Sequence, residues 1–281
     1  MVQPIAVVVA MQSELTHLVP ADVPNAELTS GIWTETHAIV GDIPVIAIRC
    51  GIGMVAAGAA TEHLIARYQP QAVLNFGCTG SHVRDQYPGD VVIGSGTVAH
   101  APVRIDANGE EIFSVGGFGV GEDAESANFF PADPALLSRA QTVASGWSPD
   151  PWPNSTAPRV PIVRTGNVGS GDVWNQQISR IDQLHTRHGT LCEDMEAAAI
   201  AQIAAMHGVP FLTIKDISNN EFLDVTDFDD HGAGILESEL GKRAGHLTWR
   251  LLESIALRHV TRGGENPEHT ATAILENRGV V

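Results

Sequence analysis

The 281-residue chain is predicted to fold as an α/β protein. Short β-branched runs alternate with alanine-rich segments, and glycine-bearing turns follow several of those runs. Aromatic residues make up only 5% of a composition rich in Gly and Ala. Apolar runs alternating with helical patterns are the mark of strands and helices wound around a largely parallel sheet. The length suits one large domain or two small ones, with ample apolar content for a core.

Residues 5–10 are a continuous apolar run and read as a buried parallel strand. A short helix follows at Met11–Leu15, with Ser13 as expected N-cap and Leu15, Leu18 and Val19 on one face. Residues 43–48 read as the second strand, and Gly51-Ile52-Gly53 leads into a helix over about 55–68. Residues 72–76 and 90–93 read as strands, the first ending in Gly77-Cys78-Thr79-Gly80-Ser81. Residues 106–158 are rich in Gly, Pro, Asn and Asp with one helical island near 134–144, and are expected as an extended insertion or lid. The core resumes with a strand at 161–165, a loop over 166–175 and a helix around 176–188. Glu193-Asp194-Met195-Glu196 then runs into Ala197-Ala198-Ala199-Ile200-Ala201. Alanine is the best helix former, so Glu196 is expected at or just inside a first helical turn, where the positive end of the dipole favours a carboxylate. A strand at Phe211–Asn219 and a closing helix over about 234–258 complete the domain of 1–260, leaving a polar tail at 261–281. A helix start meeting a strand end is where α/β proteins place ligands.

Composition excludes several functions. A formal net charge of −17 argues against a nucleic-acid partner, whose phosphates call for clustered Lys and Arg. Cys50, Cys78 and Cys192 are odd in number and widely spaced, and read as reduced thiols. Neither a leader nor an apolar stretch long enough for a bilayer is apparent, so a soluble cytoplasmic protein is expected. Twelve His include no HExxH or close pair on one helix face, and no metal or other cofactor is expected. Gly51-x-Gly53-x-x-Ala56 matches a loose dinucleotide fingerprint, but the next strand ends Leu74-Asn75-Phe76-Gly77 without the acid that holds a ribose. A glycine turn packing strand on helix is the better reading.

Seven motifs remain: Ala10-Met11-x-x-Glu14, Cys50-Gly51-Ile52-Gly53-Met54-Val55-Ala56-Ala57, Asn75-Phe76-Gly77-Cys78-Thr79-Gly80, Pro88-Gly89-Asp90-Val91-Val92-Ile93, Gly169-Ser170-Gly171-Asp172, Asp194-Met195-Glu196-Ala197 and Asp216-Ile217-Ser218-Asn219. In this order and spacing the chain resembles the nucleoside phosphorylase/nucleosidase superfamily, with the nearest likeness to methylthioadenosine/S-adenosylhomocysteine nucleosidases, over residues 4–100 and 160–257. The resemblance implies a single nucleoside phosphorylase-like domain with a central twisted mixed sheet flanked by helices. It implies that Glu14 activates water beneath the sugar, that Glu196 binds the ribose hydroxyls, and that Met195 packs under the sugar. Trp174 falls at the position that stacks on the purine, and Asn175 where the backbone reads the base edge. Gly80 and Ser218 belong to the same binding set. Cys78 stands where the family usually has Ser, Lys215 where it has Arg, and Asn219 where these nucleosidases have the Asp that protonates the base. Met11, Ile52 and Met195 suggest apolar walls for the group on the ribose 5′ carbon. A homodimer is implied, with His100, Pro102 and Arg104 reaching a neighbour's pocket in trans.

The chemistry supports an enzyme on its own terms. Breaking a ribosyl–purine bond makes an oxocarbenium-like sugar and an anionic base. It calls for a carboxylate near the sugar, a second to deprotonate water, and a donor at the base. Glu196 and Glu14 meet the first two, while Asn219 can donate a hydrogen bond but cannot deliver a proton. The base is therefore a 6-oxopurine whose oxygen accepts from the amide, or the enzyme releases adenine slowly. Phosphorolysis is the alternative, although Asn75 and Cys78 are poor phosphate ligands and Arg49 and Arg84 would have to rearrange. A non-catalytic nucleoside-binding relative is the rival from another class.

Overall fold

The computed structural model describes residues 2–101, 103–108, 111–113, 128–153, 159–223 and 237–263. β1 (Ile5–Val9) is buried at all five side chains, as a strand covered on both faces must be. One helical turn, α1 (Gln12–Leu15), follows. It is closed not by Ser13 but by Glu14, whose Oε2 accepts from the Met11 N–H at 3.0 Å. β2 (Asn25–Ser30), β3 (Trp33–Val40) and β4 (Ile43–Arg49) form an antiparallel meander whose turns use Gly31 and Gly41 at positive φ. β2 and β3 carry no apolar run, because β2 alternates exposed and half-buried side chains at the sheet edge.

After α2 (Met54–Tyr68), β5 (Ala72–Ser81) and β6 (Val91–Ala99) extend well beyond their apolar stretches. Gly77–Ser81 continues the strand past the expected end at Phe76. The expected 166–175 loop likewise begins as strand, since β10 is Val163–Ser170. Close approach explains the glycines here. A Cβ on Gly94 would lie 2.5 Å from Thr213, and one on Gly166 would lie 2.4 Å from Leu191.

β7 (Val103–Ile105) and β8 (Glu111–Phe113) make a separate two-stranded ribbon, while β9 (Phe129–Pro131) adds to β6 in the main sheet. α3 (Pro134–Ser145) starts at Asp133, whose Oδ1 accepts from the N–H groups of Ala135 and Leu136 at 2.9 Å each. Thus 129–145 join the sheet and its helical layer. Within the segment expected as an insertion, 109–110, 114–127 and 154–158 lie outside the described residues.

The chain continues through α4 (Ile178–His188), β11 (Thr190–Asp194), α5 (Ala197–Met206), β12 (Phe211–Asn219) and α6 (Lys242–Gly263). α6 starts later than its apolar pattern suggests, because Gly241 at φ +69° precedes it and the Asp216 carboxylate accepts from the N–H groups of Gly241 and Arg243 at 3.0 Å each. The expected tail lies outside the described residues from 264 onward.

The main sheet is mixed and has ten strands in the order β11-β10-β6-β12-β5-β1-β4-β3-β2, with β9 on β6. β11 also pairs antiparallel with β5, so β5, β12, β6, β10 and β11 close on themselves. Helices α2 and α5 cover one face and α1, α3 and α6 the other. Strand ends from both parts of the sheet therefore meet in one place.

Candidate active site

A cavity of about 470 Å³ opens where β1, β5, β11 and β12 end. Met11, Glu14, Ile52, Cys78, Gly80, Trp174, Asn175, Met195, Glu196, Ser218 and Asn219 all line it.

Glu14 is buried. Its Oε1 accepts from the Cys78 N–H at 2.8 Å, while its Oε2 holds the start of α1. Burial raises its pKa, and the nearby Lys215 charge and these backbone donors pull it back part of the way. A Cβ on Gly77 would stand 2.6 Å from Oε1, so only glycine leaves room for the carboxylate. The Cys78 thiol faces the same carboxylate, and burial with the Glu14 charge pushes its pKa well up, keeping it protonated.

Glu196 is the N-cap residue of α5 rather than part of its first turn. Its side chain turns away from its own helix, and Oε1 accepts from the Gly53 N–H, at the start of α2, at 2.8 Å. Asp172 holds the next donor there, accepting from the Met54 N–H at 2.7 Å. Burial and the Asp194 charge push Glu196 up to about 7.

The helix dipole offset expected of Glu196 falls instead to Asp194. That carboxylate accepts from the Ala197 N–H and from the Ser170 hydroxyl, and Ser170 Oγ accepts from the Ala198 N–H at 2.9 Å. Lys215, expected among the binding residues, does not line the cavity. Its Nζ is 2.7 Å from Asp194 Oδ2 in an ion pair buried on both sides. Burial would lower the lysine pKa, but the charges of Asp194, Glu196 and Glu14 raise it, so one ammonium sits among three carboxylates. Strand alternation sends the neighbouring Asp216 to the opposite face, where it caps α6.

Asn219 Oδ1 lies 2.9 Å from the Ser218 hydroxyl, which is also 3.3 Å from Thr79 O, and its amide can present an N–H donor to the cavity. Trp174 is half exposed at the cavity mouth. Asn75, considered for a phosphate site, lies in the core, donating to Val8 O at 2.9 Å and accepting from Thr213 Oγ1 at 2.7 Å. Arg84 pairs with Asp182 on the surface. No Lys or Arg is among the described residues lining the cavity.

The expected trans contributors behave differently. His100 is buried within this chain, its Nε2 3.3 Å from Glu193 Oε2, and a Cβ on Gly171 would lie 2.9 Å from its ring. Arg104 is exposed on β7, and Pro102 lies outside the described residues. The sequence reading also passed over Glu193, His82 and Asp172. The signal available for the first was a run of three acids within four residues, too many for a helix cap alone.

A family profile described as the phosphorylase superfamily matches residues 4–242. The chain belongs to the phosphorylase superfamily. Two curated relatives in that superfamily, the 5′-methylthioadenosine/S-adenosylhomocysteine nucleosidases of Shewanella pealeana and Shewanella oneidensis, are 32% and 33% identical to it over 231 residues. The alignments cover 81% and 80% of this chain and 91% and 88% of those relatives. Among solved structures, the Neisseria meningitidis nucleosidase of that name in complex with methylthio-immucillin-A superposes with a TM-score of 0.68 at 22% identity, covering 90% of this chain and 100% of that one. The futalosine hydrolase of Helicobacter pylori gives the same TM-score at 21% identity, covering 92% and 98%. These superpositions establish the superfamily fold, including the mixed sheet. Among the described residues, no helix is long and apolar enough to cross a membrane, and no cluster of three His, Cys, Asp or Glu is placed to hold a metal ion.

Proposed function

We propose that this protein hydrolyses the N-glycosidic bond of a 5′-substituted purine nucleoside, with Glu14, Glu196 and Asn219 as the catalytic groups. The observation that carries this reading is one cavity holding two buried carboxylates and an amide donor, with no Lys or Arg on its described walls. Three carboxylates around one ammonium leave net negative charge beneath the sugar, which favours the oxocarbenium-like transition state over the neutral substrate.

In this mechanism water bound at Glu14 attacks C1′ as the bond to the base nitrogen breaks. The bonding pair leaves with the base, and the water proton passes to Glu14. Burial makes Glu14 a stronger base than a solvated carboxylate, and its two backbone donors fix its direction. Glu196 accepts from the ribose hydroxyls, held in place through Gly53. Asn219 donates to the base as negative charge develops there. Met11, Ile52 and Met195 give the 5′ substituent apolar surroundings, and Trp174 is placed to stack on the base.

Water is favoured over phosphate because a phosphate dianion here would face Glu14 with no Lys or Arg on the described walls. A binding-only relative would gain nothing from carboxylates that are costly to desolvate. The test is base release from a nucleoside panel with and without inorganic phosphate, for the wild type and Glu14→Gln. Phosphate-independent release that disappears in Glu14→Gln, with nucleoside binding retained by calorimetry, is expected. Formation of a sugar 1-phosphate, or undiminished release by the variant, would refute the reading.

A further inference from the structure

β12 sends two ionisable side chains, Lys215 and Asp216, to opposite faces of the sheet. Lys215 belongs to the site through Asp194, whereas the hydrolysis gives Asp216 no task. Asp216 is nevertheless fully enclosed, on a strand buried along its whole length. A carboxylate in such a place is costly unless its contacts offset the lost water. Burial pushes Asp216 up to about 7 and the Glu14 charge adds to this, while Arg243 and two backbone donors oppose it.

Those donors are the N–H groups of Gly241 and Arg243, one on each carboxylate oxygen at 3.0 Å. A helix start is ordinarily capped by a side chain of its own segment. α6 instead takes its cap from the strand that carries Asn219. Gly241 also backs Glu14. A Cβ on it would lie 2.9 Å from Glu14 Cγ and 3.4 Å from Gly77 Cα, and its φ of +69° turns the chain there. Leu240, one residue earlier, lines the cavity. On β5 the residue in register with Asp216 is Cys78, whose N–H donates to Glu14 Oε1 at 2.8 Å. Behind the turn, the buried Arg243 guanidinium donates to Asp150 O at 2.6 Å, Pro151 O at 2.9 Å and Glu239 Oε2 at 2.7 Å. The start of α6 is therefore anchored on its far side, and the Asp216 carboxylate sets how deeply Gly241 sits against Glu14.

We propose that Asp216 is a positioning residue for hydrolysis, holding the Leu240-Gly241 turn onto the sheet so that Glu14 stays enclosed and aimed. The proposal rests on the nucleosidase reading for the task of Glu14, while the enclosure can be measured apart from it. Enclosure makes Glu14 a stronger base than a solvated carboxylate, and a turn that lifts away lets water reach it. Asp216 does not itself line the cavity, so its loss acts on the chemical step rather than on nucleoside binding.

The test compares Asp216→Asn with Asp216→Val. Both remove the charge, but Asn keeps one acceptor for the turn, while Val, a good strand former of similar size, keeps none. The Glu14 carboxyl is titrated by NMR on protein isotopically labelled at glutamate carboxyls, its signal assigned by its absence in Glu14→Gln. Its raised pKa should fall in both variants, and further in Asp216→Val. The kcat for base release should fall by about 10-fold in Asp216→Asn, where one hydrogen bond is lost. In Asp216→Val it should fall by about 100-fold, as a displacement of about 1 Å implies, with KM held within about threefold in both. A Glu14 titration that is unmoved means that the turn does not enclose Glu14, and one equally moved in both variants is an effect of charge alone. Either would overturn the proposal. Loss of stability with kcat unchanged would also overturn it, since a helix cap with no bearing on Glu14 gives that result. If no nucleoside releases base, the nucleosidase reading falls, and the graded Glu14 titration still decides this proposal. If Asp216→Val does not fold, Asp216→Asn decides alone. A lowered kcat with KM held upholds the assignment, and a normal kcat or a change confined to KM refutes it.

Discussion

Glu196→Gln should make the protein more stable while removing its activity. The side chains have the same shape, and Gln can still accept from the Gly53 N–H through its one oxygen, so the 2.8 Å contact to α2 survives. What disappears is a carboxyl raised from 4.5 to about 7 by burial and by the Asp194 charge. A group whose folded pKa lies above its unfolded one contributes stability below the unfolded value that is lost as pH rises through the folded value. For this shift the loss is about 3 kcal/mol, developing between pH 4.5 and 7 and constant above. Urea unfolding at closely spaced pH values should therefore show the variant gaining on the wild type across that window, by up to about 3 kcal/mol at pH 8. Base release by the variant should fall by about 10²–10³-fold, the usual loss when one preorganised charge contact is removed. The rise of wild-type kcat/KM toward pH 7, as the ribose-binding carboxylate ionises, should vanish with it. A stability difference that is flat with pH, or near-normal base release, would refute the reasoning.

Gly77→Ala places a methyl group 2.6 Å from Glu14 Oε1 and must displace the water-directing carboxylate. A shift near 1 Å costs about 10²-fold in rate, so kcat measured on correctly folded protein should drop by at least that much while circular dichroism is unchanged. Lys215→Met leaves Asp194 buried without its partner and should destabilise the protein by about 3–5 kcal/mol in denaturant titrations. Adding Asp194→Asn should restore part of that loss, and a simple sum of the two single effects would show that the pair is not coupled.

The parts of the fold legible in the sequence were those with a strong period. β1, α2, α3, α5 and β12 each announce themselves by an unbroken apolar run or a helical stripe. The edge strand β2 and its neighbour β3 do not, because β2 has no buried side chain and the first five residues of β3 are largely polar, so they look like loop. Glycine misled in the other direction. Gly77, Gly80, Gly166 and Gly169 fall outside the strands read from the sequence, yet they lie within strands where a Cβ would come within 2.4–3.2 Å of a neighbour. At the site, most of the residues carried over by resemblance do meet in one cavity. The exceptions have a common cause. Lys215 and His100 are held by acids, Asp194 and Glu193, whose own partners come from distant strands and cannot be seen one position at a time.

The start of α6 touches the oldest part of the site. Gly241 packs so tightly on Glu14 that an added Cβ would lie 2.9 Å from its Cγ, and its N–H, with that of Arg243, is held by Asp216 from β12. Glu14 precedes in the chain, by more than two hundred residues, the Gly241 that packs against it. Without Gly241 one side of the carboxylate loses its cover, and part of the burial that raises its proton affinity is missing. A ribosome-bound fragment ending before Gly241 would thus carry every other acid of the site and still be inert, so that activity switches on with the arrival of a helix that supplies no reacting group.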